Sequence, residues 1–150
     1  WEERRMLIYL DNCCFNRPYD DQSRTDIFLE TQAKLYIQEN ILAGKYQLAW
    51  SYILQYENDQ NPYINHKHEI SKWKQQASLL IGQSAEIIEK AKVYQLIGLR
   101  TKDALHCACA ASIKADAFIT TDKQLIKVAR KITELNVVSP LTFIQEETSL

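Results

Sequence analysis

Four carboxylates stand where they can do chemistry together: Asp11, Glu57, Asp103 and Asp122. Asp11 closes the apolar run Met6-Leu7-Ile8-Tyr9-Leu10, and Asp122 closes Ala117-Phe118-Ile119-Thr120-Thr121. Asp103 falls in the first turn of an Ala-rich segment. Glu57 follows Ser51, the end of a third apolar run, by about one and a half helical turns. If the runs are neighbouring parallel strands, all four acids face one crevice. Carboxylates gathered in this way repel one another unless a cation neutralises them. A set of oxygen donors suits Mg²⁺ or Mn²⁺ better than zinc. Each acid also has a plain role. Asp11 and Asp122 are good helix or turn caps, Asp103 favours the positive end of a helix, and Glu57 suits a solvated face. Spacing alone leaves both readings open.

The elements that must position these acids read as alternating strands and helices. Continuous apolar runs without alternation suit strands buried on both faces. They occur at 6–10, 47–51 and 117–121, with a weaker run at 136–139 stopped by Pro140. Helices are expected over 25–43, where Phe28, Leu35 and Leu42 fall one heptad apart and Gly44 marks the end. Further helices are expected at 53–58, 70–81, 84–97, 101–115 and 123–132. Ala and Cys cover most of the circumference of 101–115, which points to a helix packed on several sides. The order predicts an α/β fold with a mainly parallel sheet and a working site beyond the carboxyl ends of its strands.

The chain has 150 residues, 46% hydrophobic and 25% charged, the balance of one globular domain with a core over about 6–146. No apolar run approaches the roughly 20 residues needed to cross a bilayer. The start, Trp1-Glu2-Glu3-Arg4-Arg5, and the short apolar run after it do not make a signal-peptide core, so a cytoplasmic location is expected. Net charge is -1. A protein that grips nucleic acid by charge alone is usually strongly basic, so any nucleic-acid site here needs bound metal for part of its positive charge. The four cysteines, Cys13-Cys14 and Cys107-x-Cys109, do not have the spacing of a structural zinc site. They read as reduced, buried small hydrophobes, which argues against a redox or zinc protein.

Several segments resemble those of bacterial PIN-domain proteins. The stretch from Ile8 to Gln22, with Asp11-Asn12-Cys13-Cys14 and Asn16-Arg17-Pro18, is similar to the opening of a subset of that family. Ser51 to Glu57 followed by Asn61-Pro62, Lys102-Asp103-Ala104-Leu105, and Phe118 to Lys123 resemble the later acidic segments. Four such motifs in order, over about 7–143, are fairly specific together. The resemblance implies a three-layer PIN-like fold, a central parallel sheet with helices on both faces. It also implies an endoribonuclease that uses Mg²⁺ or Mn²⁺, like the toxins of toxin–antitoxin pairs, with Asp11, Glu57, Asp103 and Asp122 at the acidic positions. RNA as substrate, an antitoxin partner and a homodimer follow from the resemblance alone. Asn12-Cys13-Cys14 and the long middle segment 60–76 depart from the toxin pattern. The competing reading is an inactive PIN-like module that binds nucleic acid or protein.

Other residues join the candidate site. Asn12 is placed to orient Asp11, and Thr121 to bond a ligand or a bound water. Arg17, Arg100 and Lys102 are placed to meet phosphates. His106 lies one turn after Asp103, where a satisfied helix histidine is the expected role. His66-Lys67-His68 reads as a solvated loop rather than a metal pair. Tyr63, His66, Lys67, Lys72, Trp73 and Lys74 mix bases and aromatics in a way that suits single-stranded RNA, but an amphipathic helix with Trp73 turned inward is favoured.

Overall fold

Ile8, Tyr9 and Leu10 point alternately to opposite sides of a strand, and all three are wholly buried. The sheet they belong to is therefore covered on both faces. The computed structural model describes residues 5–148, so Trp1 to Arg4 of the charged start lie outside the described residues. Its strands are β1 Met6–Leu10, β2 Tyr46–Ser51, β3 Ala77–Ile81, β4 Ala117–Ile119 and β5 Val137–Val138. They form one five-stranded sheet in the order β3-β2-β1-β4-β5, with every pairing parallel. Ile8 stands opposite Leu48 on one side and Ala117 on the other. The chain steps outward in one direction from β1 through β2 to β3, then returns to the other side of β1 for β4 and β5. The strand order thus reverses between β1 and β4, and crevices form at such a point beyond the carboxyl ends.

The helices are α1 Asn12–Asn16, α2 Thr25–Leu42, α3 Tyr52–Asp59, α4 Ile64–Ser71, α5 Ala85–Leu96, α6 Thr101–Ser112, α7 Lys123–Ala129 and α8 Pro140–Thr148. Helix α5 packs on α6, and α2 on α8. In α6, Ala104, His106, Cys107, Ala108, Cys109 and Ala110 are all buried, as its small-residue circumference predicts. Asn58 ties α3 to α4 by donating to the Lys67 carbonyl at 3.0 Å and Ser71 Oγ at 2.9 Å. No helix among the described residues is long and apolar enough to cross a membrane.

The structure corrects several expectations. The helix expected over 70–81 is instead the end of α4, a 3-10 turn Lys72–Gln76 and strand β3. Ala77-Ser78-Leu79-Leu80-Ile81 lacks the β-branched run that marks a strand, and pairing with β2 decides its conformation. His66 and His68 lie on α4 rather than in a loop. His66 stacks on Tyr19 with ring centroids 3.7 Å apart. Trp73 packs partly buried against the core, but from the 3-10 turn. Pro140 does not only stop β5. It opens α8, where its fixed φ and missing N–H suit the first turn, and Ser139 Oγ accepts from Thr142 N at 3.1 Å. The heptad Phe28, Leu35 and Leu42 is not the buried stripe of α2, for these residues are 45%, 39% and 61% exposed. The buried face instead carries Ile27, Glu30, Thr31, Lys34, Ile37, Gln38 and Ile41.

Candidate metal centre

Asp11 leaves the sheet at the end of β1, and its amide still donates to the Ile119 carbonyl of β4 at 2.9 Å. It caps α1, with Oδ1 accepting from Asn12 N at 2.8 Å. Oδ2 accepts from Thr120 Oγ1 at 2.7 Å and from Cys13 Sγ at 3.4 Å. Cys13 Sγ also lies 3.3 Å from Thr120 Oγ1, and Cys14 Sγ donates to the Ile119 carbonyl at 3.3 Å. The adjacent cysteines therefore stitch the β1 turn to the end of β4, beyond filling space. Asn12 orients Asp11 through its backbone N–H, while its own side-chain Oδ1 is buried without a hydrogen-bond partner. The hydroxyl that reaches Asp11 belongs to Thr120. Thr121, singled out from sequence, is buried and donates its backbone N–H to Cys13 Sγ at 3.4 Å.

Glu57 comes from the last turn of α3 and is half-buried. Its Oε1 is in direct contact with His106 Nε2, and the same nitrogen lies 3.7 Å from Asp11 Oδ1. His106 projects from α6 and is 1% exposed. Its other nitrogen, Nδ1, is hydrogen-bonded to the Tyr9 hydroxyl at 2.6 Å, and that hydroxyl to Ser51 Oγ at 2.6 Å. The expectation of a satisfied helix histidine holds, and the same residue sits inside the acidic crevice. Asp11, Glu57 and His106 each offer one donor atom, and these atoms lie within 4.8 Å of one another. Donors around one octahedral ion at about 2.1 Å are spaced roughly 3–4 Å apart, so the three could hold a divalent cation only if the direct Glu57–His106 contact opened.

The electrostatics tie the remaining acids to this cluster. Burial, then the charges of Asp11 and Asp122, push the Asp103 carboxyl above its ordinary range, against the pull of His106 and Arg100. Burial opposes charge on His106, yet the Glu57 hydrogen bond and the charges of Asp11, Glu57 and Asp103 raise its pKa above the usual imidazole value. Asp122 is half-exposed and caps α7, with Oδ1 accepting from Gln124 N at 3.0 Å and Leu125 N at 3.1 Å. Its plain reading as a cap is thus realised, and its charge is still felt at Asp103. Arg100 and Lys102 flank Asp103 and are exposed. Lys102 Nζ lies over the Tyr56 ring at 5.7 Å. Arg17 is engaged elsewhere, with Asp20 at 3.0 Å and Glu30 at 3.1 Å.

No protein-family model matches the sequence, and no curated protein does. Among solved structures, a chain in the crystal structure of VapBC2 from Rickettsia felis bound to a DNA fragment from their promoter is similar. The TM-score is 0.56 at 16% identity, over 88% of this chain and 97% of that one. The fold is PIN-like. At that identity the likeness is one of fold. His106 is the member of the cluster that a search for acids passes over. The signal available for it was its place one turn after Asp103, on the same face of α6.

Proposed function

We propose that the chain is a metal-dependent endoribonuclease that hydrolyses RNA phosphodiester bonds. The observation that carries this reading is the convergence of Asp11, Glu57 and His106 donor atoms within 4.8 Å, at the carboxyl edge of a PIN-like sheet. The upward pressure of Asp11 and Asp122 on Asp103 supports a cation as the natural occupant of the crevice. Asp11 and Glu57, which take part in that convergence, would hold the metal, with Asp103 and Asp122 completing the acidic set. Bound Mg²⁺ or Mn²⁺ would supply a Lewis acid for the phosphate and lower the pKa of a bound water.

The protein's own residues prepare that chemistry. Thr120 and the Asn12 amide fix both oxygens of Asp11. Ser51 and Tyr9 hold the His106 ring, which in turn holds Glu57. Arg100 and Lys102, exposed at the start of α6, offer phosphate contacts outside the crevice. Exposed Tyr19 and Tyr63, each against His66, offer stacking faces to a single strand.

The test is incubation of end-labelled single-stranded RNA with the protein in Mn²⁺, Mg²⁺ or EDTA, beside Asp103→Asn. Metal-dependent cleavage that the variant loses is the expected result. Equal cleavage by a folded Asp103→Asn protein would overturn the assignment. By the same resemblance, we place the chain as the toxin of a toxin–antitoxin pair, a cytoplasmic homodimer held in check by a small antitoxin protein. The solved relative, VapBC2, is itself bound to promoter DNA. Isolation of the chain from its native cells free of any small protein partner would count against that role.

A further inference from the structure

Helix α2 carries two hydrogen-bond donors, Lys34 Nζ and Gln38 Nε2, that meet no acceptor among the described residues. Lys34 is 5% exposed and Gln38 is 6% exposed, and they lie four residues apart on one face. Among the described residues Lys34 makes no hydrogen bond or ion pair; its Nζ lies over the Phe15 ring, 5.7 Å from the centroid. Gln38 Nε2 is buried with no hydrogen-bond partner. Burying an ammonium and an amide without partners is costly, and a fold normally pairs such groups. Burial pulls the Lys34 amine down to about 8, with the Cys14 thiol alone opposing.

Both side chains line a cavity of about 210 Å³ that none of the four candidate acids borders. Its walls include Phe15 from α1, Tyr19 from the 3-10 turn after it, and Trp73 from the 3-10 turn after α4. Glu69 lines it as well, but its side chain is mostly exposed and is paired with Lys72 at 2.9 Å. The buried part of the cavity therefore offers two donors and aromatic faces. A cavity of about 150 Å³ takes a benzene ring, so this one has room for a ring that carries a small polar group. The complement of a buried ammonium beside an amide N–H₂ is a carboxylate.

We propose that this cavity is a binding site for a small aromatic carboxylate, whose anion meets Lys34 and Gln38 and whose ring lies among Phe15, Tyr19 and Trp73. The site is separate from the acidic crevice and stands whether or not the chain cuts RNA.

The test uses benzoate as the probe, with benzyl alcohol as the neutral ring and acetate as the anion without a ring. Thermal unfolding and calorimetric titration of the full chain are followed in each. Benzoate is expected to raise the melting temperature by roughly 3–6 °C at ten times its dissociation constant, and the two controls far less. Lys34→Met should abolish the shift while remaining folded, and Gln38→Leu should weaken benzoate affinity severalfold. No benzoate binding up to its solubility limit, equal shifts in wild type and Lys34→Met, or equal shifts from benzyl alcohol would each overturn the proposal.

Discussion

The Tyr9 hydroxyl lies 2.6 Å from His106 Nδ1, inside the sheet–helix interface, where both side chains are essentially fully buried. This contact joins the central strand β1 to α6 and sets which way the imidazole faces. The ring's second nitrogen is thereby delivered to Glu57. The consequence is structural as well as electrostatic. His106→Phe would take one of the Tyr9 hydroxyl's two partners, leaving it Ser51 alone, and would remove the imidazole that Glu57 contacts. A loss of about 2–4 kcal/mol is expected in urea unfolding, and His106→Asn should lose less because it keeps a polar head. A Phe variant as stable as the wild type would mean the chain from Ser51 to Glu57 contributes nothing to the fold.

Asp103 behaves differently, because its neighbours resist its charge. Burial, Asp11 and Asp122 all push its carboxyl upward. Asp103→Asn removes a member of a repelling set and should leave stability in EDTA unchanged or raise it by up to about 1 kcal/mol. The rise in melting temperature that Mn²⁺ gives the wild type should shrink, and RNA cleavage should fall by about 100-fold or more. The two readouts together separate a metal holder from a helix-end acid, which would lower stability when removed.

Asp122 carries two roles that one substitution cannot part. Its Oδ1 accepts from two amides of α7, so Asp122→Ala should cost about 1 kcal/mol as a lost cap, whatever happens at the crevice. Asp122→Ser keeps the cap and deletes the charge. Near-normal stability with reduced Mn²⁺ binding is expected for Ser. If Ser retains full metal affinity and cleavage, Asp122 serves α7 only.

Legibility in the sequence followed burial. Strands β1, β2 and β4 are covered on both faces, so they had to be continuous apolar runs, and the acids at the ends of β1 and β4 could be placed from that alone. Strand β3 lies at the edge with Ser78, Leu79 and Leu80 exposed, and its short Leu-rich segment suits a helix equally well. Helix α2 misled in another way. Its exposed side is apolar at Phe28, Leu35 and Leu42, while its buried side carries Glu30, Lys34 and Gln38, so a hydrophobic stripe points outward. His106 was visible as a neighbour of Asp103. Its contacts with Tyr9 and Glu57 join residues from three separate elements, and no local pattern encodes such a meeting.

The inverted face of α2 leads to a pH dependence with a definite sign. Lys34 has a folded pKa of about 8, pulled down by burial, against an ordinary value of 10.5. Between those values the unfolded chain binds a proton that the folded chain does not, so stability rises with pH in that window. The penalty is fully present below about pH 8, where the buried amine is charged, and is relieved as pH climbs toward 10.5. Its size is about 3 kcal/mol by linkage. Lys34→Met should therefore be more stable than the wild type at pH 7, with the gap closing as pH rises. Cys14 is coupled electrostatically to Lys34 and responds to the substitution, whereas groups remote from Lys34 are common to both proteins and cancel in the difference. Urea unfolding of the pair at pH 7 and at pH 9.5 reads this directly. A gap that stays constant across that range would show that Lys34 is not a buried, proton-shedding amine.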